Sequence, residues 1–293
     1  REEPRVCSSP KIESNYMFMM SSELMMILGV TGVIGLFLGS FLNVVVMRLD
    51  NVEEPFWKGR SRCNDCGHPL QWYDLIPLVS FLSIGAKCRY CRVSLPWQYP
   101  LVELLTSVAY ISVMYYWIRV PHDFMRTGTL GIIALTVLFV YVSQLIVIFV
   151  YDTIHKMIPE VSMWINAGLA ILYQFLRYLE TGVLIWDGLV TASVMALIIF
   201  AFYFFTKKRG MGFGDIELVF SLGLLIGWQY IWMFFVLSFM IGSVYGIAAL
   251  LLQRVSSVTA QVPFGPALIL AFWFIFFFPQ IALRLNALFF VLS

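Results

Sequence analysis

Two aspartates in this sequence stand where apolar runs end, and together they could do chemistry at a membrane surface. Asp152 follows the run Leu145 to Tyr151 and precedes Thr153-Ile154-His155-Lys156-Met157-Ile158-Pro159-Glu160, while Asp215 closes Gly210-Met211-Gly212-Phe213-Gly214-Asp215. An acid in the middle of a span costs about 2.5 to 3.5 kcal/mol on insertion scales, so acids at span boundaries are functional candidates. A carboxyl pair suits peptide hydrolysis by activated water: one member takes the proton from water while the other, protonated, polarises the scissile carbonyl. Close like charges resist joint ionisation, so such a pair titrates as a unit. Gly212 and Gly214 allow a backbone approach that a side chain would block, which suits a loop lying along an extended substrate strand. There is also an ordinary reading. Asp215, directly before Ile216-Glu217-Leu218, is well placed to cap a helix. The glycine run is no dinucleotide fingerprint, because no strand precedes it.

The second constellation is Cys63-x-x-Cys66 and Cys88-x-x-Cys91, separated by 21 residues. Two tight turns carrying thiolates can converge on one tetrahedral zinc. Two disulfides are the competing reading, disfavoured if the segment lies in a reducing cytoplasm. Four cysteines fill the coordination sphere and leave no position for water, so the metal would be structural. A segment of about 50 residues has little core of its own, and structural zinc contributes about 10 to 16 kcal/mol in small peptide modules. His68 reads as a surface residue, and Cys7 stands apart from the cluster.

The elements that must position these residues follow from composition. The chain of 293 residues is 60% hydrophobic, 17% aromatic and only 12% charged, which places it in a bilayer. Apolar stretches near 24–47, 99–118, 129–150, 160–179, 184–205, 216–252 and 264–292 each reach the roughly 20 residues a span needs. The stretch 216–252 is too long for one helix, and Gly227-Trp228-Gln229-Tyr230 supplies a turn. The expectation is an all-α polytopic membrane protein of about eight transmembrane helices. Leu24 to Met47 is too long for a cleavable leader and lacks a small-residue cleavage site, so it reads as a permanent helix. Lys and Arg gather between Arg48 and Arg92, at Lys156, at 207–209 and at Arg254. Basic loops stay cytoplasmic, which puts both termini outside and both aspartates on the cytoplasmic face. The polar segment 48–98 then becomes a small cytoplasmic zinc-binding loop domain, built of turns and short strands, between the first two helices. There is no internal repeat of fixed period. A net charge of +2 and the lack of a basic stripe exclude a nucleic-acid partner.

With these residues in place, the sequence resembles the bacterial type IV prepilin peptidases, whose second acid sits in a Gly-x-Gly-Asp motif, here Gly212-Phe213-Gly214-Asp215. The likeness extends to Gly39-Ser40-Phe41-Leu42-Asn43-Val44, to Trp72-Tyr73-Asp74-Leu75-Ile76-Pro77 beside the cysteines, and to Tyr99-Pro100-Leu101-Val102-Glu103. It continues through Asp152 with Ile158-Pro159-Glu160 to Pro263-Phe264-Gly265-Pro266. Residues 1–23 are left as an unmatched tail, 24–47 as the first transmembrane helix, and 99–293 as the transmembrane peptidase domain. The resemblance implies an intramembrane aspartyl endopeptidase of the bacterial cytoplasmic membrane with Asp152 and Asp215 as its catalytic pair. Its substrates would be prepilins and pseudopilins, cut on the cytoplasmic side between a short basic leader and a hydrophobic helix. It also implies N-methylation of the new terminus from S-adenosylmethionine. One position departs from the family. Lys usually stands two residues after the second acid, whereas this chain has Glu217, which puts the pH dependence or the methylation step in doubt.

Some residues carry smaller expectations. Glu103, near a helix start, is a candidate for amine binding or methyl transfer, and its ordinary reading is an acid favoured by the helix dipole. His155 and Lys156 are within helical reach of Asp152 but read as solvated loop residues. Asn43 reads as a bond to another helix. Two other classes compete: a transporter or metal-handling protein that uses the acids as cation ligands, and a catalytically silent pilus-assembly scaffold.

Overall fold

The computed structural model describes residues 10–49, 59–119, 128–182, 186–206, 211–251 and 263–292. Cys7, the first nine residues of the expected tail and the basic positions Lys58, 207–209 and Arg254 lie outside them. The described residues form α1 (Pro10–Arg48), α2 (Val79–Ser83), α3 (Gln98–Arg119), α4 (Thr129–His155), α5 (Glu160–Thr181), α6 (Trp186–Phe205), α7 (Phe213–Gly223), α8 (Ile231–Leu251), α9 (Gly265–Phe277) and α10 (Pro279–Leu292). Lipid offers no hydrogen bonds to the backbone, so an apolar chain satisfies its N–H and C=O groups within helices. The protein is accordingly all-α, and among the described residues the only β pairing is two isolated bridges in the cysteine segment.

Among the described residues, five helices or helix pieces are long and apolar enough to span: Ser22–Arg48, Gln98–Ile118, Thr129–His155, Trp186–Phe205 and Trp228–Leu251. A sixth span arises if Gly265–Phe277 and Pro279–Leu285, bent by 103°, are taken together. The expected eight included two segments that fall short of this standard. α5 is 22 residues long but carries Asn166, Gln174 and Arg177, while α7 has only 11 residues. The stretch 264–292, read as one helix, breaks at Phe278, the residue before Pro279, as the geometry preceding a proline dictates.

α4 is the central post. Leu138, Tyr141, Leu145, Ile146 and Ile148 are each at most 1% exposed, and the helix packs against α1, α3, α5 and α9. It ends at Lys156, whose backbone is left-handed (φ 55°) and whose N–H donates to the Asp152 carbonyl at 2.8 Å. Pro159 then opens α5. α7 lies against α5, α6 and α9. Its contact with α6 is close: a Cβ on Gly223 would lie 2.7 Å from the Ala192 Cα.

α1 and α3 meet along a stripe of small residues, the arrangement that lets membrane helices approach backbone to backbone. A Cβ on Gly32, Gly35 or Gly39 would fall 2.9, 2.7 and 2.7 Å from atoms of Ile111, Ser107 and Glu103 respectively. Ser107 Oγ adds a bond across the pair to the Gly32 carbonyl at 2.9 Å. Asn43 bonds the neighbouring helix as its type suggested, donating from Nδ2 to the Tyr99 carbonyl.

Candidate active site and cysteine cluster

Asp152 sits in the last turn of α4 and Asp215 in the first turn of α7, and both are buried, at 4% and 7% exposure. The charge of Asp215 reaches Asp152, so the structure brings the two acids from separate helices to one place. Asp215 reaches back over its own helix start, its Oδ2 accepting the Gly212 N–H at 3.0 Å. This is half of a capping box. Gly212 has no side chain to complete the other half, so the carboxyl group both caps the helix and faces its neighbour.

The glycine loop is packed at Gly214 but not at Gly212, which is exposed, has ordinary extended angles and would bring a Cβ no nearer than 3.7 Å to a neighbour. A Cβ on Gly214 would come 3.1 Å from the Ile158 Cβ, which belongs to the short link between α4 and α5. The site also has a third wall, one the sequence reading quoted without assigning a role. Gly265 opens α9, and a Cβ there would lie 2.6 Å from Asp152 Oδ2. That oxygen is buried, and the Gly265 backbone N–H bonds toward the carboxyl group. The N-terminus of α9 thus points its positive end at Asp152, and the missing side chain of Gly265 lets that backbone approach the acid closely. Pro263-Phe264-Gly265-Pro266 was the available signal, a helix start with proline in its first turn.

The flanking residues take the places their types suggested. His155 and Lys156 are exposed, with the His155 ring stacked on Tyr151 at 4.2 Å. Glu217, one turn into α7, is half-buried. Glu103 is distant in sequence from the pair and lines a different cavity, described below.

The four cysteines converge. Their sulfur atoms all lie within 4.8 Å of one another, and Cys63 and Cys91 are 3.9 Å apart. Bonds of about 2.3 Å to a tetrahedral metal place sulfurs about 3.8 Å apart, so the donor set fits a bound ion. The backbone reveals a repeat that is faint in the sequence, where the halves share little beyond the cysteines, a basic residue before each pair (Arg62, Lys87) and Leu70 with Leu95. Arg62 bridges Pro69 and Lys87 bridges Ser94, each pair enclosing one Cys-x-x-Cys. Cys63 N–H donates to the His68 carbonyl at 3.0 Å as Cys88 N–H donates to the Val93 carbonyl at 2.8 Å. Both loops turn through a left-handed residue after the second cysteine, Gly67 (φ 69°) and Arg92 (φ 61°). Backbone N–H groups of Cys91 and Tyr90 hold the Cys88 thiol down at about 7. Asp74 clamps the second loop: it accepts Arg89 Nε at 2.9 Å, the Tyr90 hydroxyl at 3.2 Å and the Gln71 N–H at 3.2 Å. Burial, with Asp74 as acceptor, pushes the Tyr90 hydroxyl up to about 12. His68 is exposed and packs its ring on Tyr90 at 3.7 Å, consistent with a surface residue.

Comparison with known proteins adds the lineage. Residues 33–117 match the bacterial peptidase A24 N-terminal domain, and residues 139–247 match the type IV leader peptidase family. The cysteines and Glu103 fall in the first match, both aspartates in the second. A protein named prepilin leader peptidase/N-methyltransferase from Pseudomonas aeruginosa is 31% identical over 271 residues, covering 83% of this chain and 87% of its own. Proteins of the same name from Aeromonas salmonicida and Vibrio cholerae are each 30% identical, over 81% and 84% of this chain and 86% and 94% of theirs. No solved structure matches the chain. Two family matches in tandem and relatives aligned over most of both lengths make this multi-pass membrane protein a member of the type IV leader peptidase family.

Proposed function

We propose that this chain is an aspartyl endopeptidase that removes the leader from type IV prepilins and related pseudopilins and then N-methylates the new terminus. The observation that carries the reading is the meeting of Asp152 and Asp215, buried, from different helices, beside backbone that glycine lets approach closely. A pair sharing one proton can take a proton from water with one carboxyl and donate to the scissile carbonyl oxygen with the other. Gly265 and Gly214 let backbone pack directly against Asp152 and Ile158, which holds the two acids in place.

The finer assignments go with this reading. Asp152 and Asp215 are the catalytic residues, and Gly212 and Gly214 form the loop along the substrate. The metal at Cys63, Cys66, Cys88 and Cys91 is zinc, held in a closed tetrathiolate and therefore structural. S-adenosylmethionine supplies the methyl group. The basic loops place the aspartates on the cytoplasmic face of a bacterial inner membrane, with both termini outside.

The test is cleavage of a prepilin peptide by purified protein in lipid, with identification of the new N-terminus. Asp152→Asn and Asp215→Asn should each lower cleavage by roughly a thousandfold or more, since neither carboxyl can serve both proton transfers. Full cleavage by either variant would remove the mechanism. The transporter class makes the opposite forecast: ion flux abolished by the same substitutions, with no cleavage by the unaltered protein.

A further inference from the structure

A cavity of about 370 Å³ lies beneath the cysteine loops, between the C-terminal end of α1 and the N-terminal end of α3. Its size suits a small molecule or a chain end. Neither aspartate of the candidate pair lines it. Two buried oxygens do.

Glu103 is 7% exposed, and Gly39 on α1 presses against its Cα, so its backbone is fixed. Its Oε2 accepts the Leu78 N–H at 2.8 Å and it is also bonded by the Ser40 hydroxyl. Leu78 makes that bond from a strained turn. Its φ is 58° with ψ −48°, and the flanking Val79 N–H donates to the Pro77 carbonyl at 2.6 Å, a γ-turn of the rare hand. Strain of this sort persists where the surrounding structure over-determines it, often at ligand sites.

Asn43 supplies the second oxygen. It is 2% exposed, and its Nδ2 donates to both the Gly39 and the Tyr99 carbonyls at 3.2 Å. Those two acceptors fix the amide's orientation, since a flipped amide would set oxygen against oxygen. Oδ1 is left buried and without a hydrogen bond. Glu103 and Asn43 both line the cavity, and a carboxylate with unused lone pairs beside an amide whose oxygen has no partner favours a cation with several N–H donors.

We propose that Glu103 and Asn43 Oδ1 form a subsite for a primary ammonium group used in methyl transfer, a role that rests on the peptidase/methyltransferase reading. Two reactants carry such a group: the α-ammonium of the newly cut product, and the amino-acid end of the sulfonium donor. If the product occupies the subsite, Glu103 takes one proton from the ammonium. The freed nitrogen lone pair then forms the N–C bond as the C–S bond breaks, its electron pair staying on sulfur, and the methylated amine keeps the positive charge.

Binding in metal-replete protein tests the subsite without requiring turnover. The probes are a mature-terminus peptide with a free amine, its N-acetylated form, and S-adenosylhomocysteine, which has the amino-acid end but no sulfonium. Glu103→Gln should weaken one ammonium probe by roughly tenfold or more and leave the acetylated peptide unmoved. Loss confined to the free-amine peptide assigns the product, and loss confined to S-adenosylhomocysteine assigns the donor. Ser94→Trp, at the exposed cavity rim, should weaken the same probe by steric block and serves if Glu103→Gln does not fold. Unchanged affinity for both ammonium probes in either folded variant, or no binding of either by the unaltered protein, overturns the proposal. Cleavage by the unaltered protein is scored separately, so a failed subsite and a failed peptidase reading give different results.

Discussion

At the scale of single residues, the candidate site is a question of who has a Cβ. Gly265 brings the start of α9 so near that a Cβ would lie 2.6 Å from Asp152 Oδ2, and a methyl group there must push the acid or the start of α9 aside. Overpacking of this kind costs about 1 to 3 kcal/mol. Gly265→Ala should therefore lower prepilin cleavage by roughly tenfold or more while the metal content stays unchanged, measured as initial rate and by elemental analysis. The two acids were legible in the sequence as candidates, because an acid at the end of an apolar run is costly wherever it stands, while of the two glycines only Gly214 is held by packing. Gly265 was not assigned. Its neighbour across space, Asp152, is 113 positions away in the chain, and no local pattern encodes which glycine will face which carboxyl. Asn43 was legible only in half, as a helix-to-helix bond through its nitrogen, while the unsatisfied oxygen needed coordinates.

At the scale of elements, the glycine stripe of α1 sets how near the N-terminal pair of helices can come. Gly35→Leu would drive a side chain into the Ser107 backbone, which cannot rotate away. The expected cost is about 3 kcal/mol or more, seen as a thermal midpoint lowered by several degrees. A fall of less than one degree would mean that α1 and α3 are not in this register. The spans α1, α3, α4, α6 and α8 were plain in the sequence because long apolar runs leave few choices. α5 and α7 were read as spans of the same kind. Hydropathy does not separate a helix that buries Asn166 and Gln174 against protein from one that faces lipid, nor does it show that a helix will stop after 11 residues. The paired loops of the cysteine segment escaped notice for a related reason: their likeness lies in backbone bonds, which different side chains can share.

At the scale of the whole molecule, two units are joined by the contacts of α4 with α1 and α3 and of α9 with α3. The acids belong to α4 and α7, whereas the cysteine loops are attached to α1 and α3. Removing the metal with a chelator should open residues 59–97 to limited proteolysis and leave helical circular dichroism nearly unchanged, since α2 is the only α-helix there, with 5 residues. A collapse of the helical signal would show instead that the ion supports the bundle. The lengths of the two helices that begin at the acids have a separate consequence. α7 with 11 residues and α9 with 13 are about 16 and 20 Å long, against a hydrocarbon layer of about 30 Å. Both are sheathed by protein, with Leu218, Leu222, Leu268 and Ile269 at 0% exposure, so the depth at which the acids sit is set by the bundle and not by the lipid around it. Turnover should then change little as acyl chains lengthen from thin to thick bilayers at constant fluidity, since only the outer helices feel a thickness mismatch. A steep fall across that series would mean that lipid reaches the short helices after all.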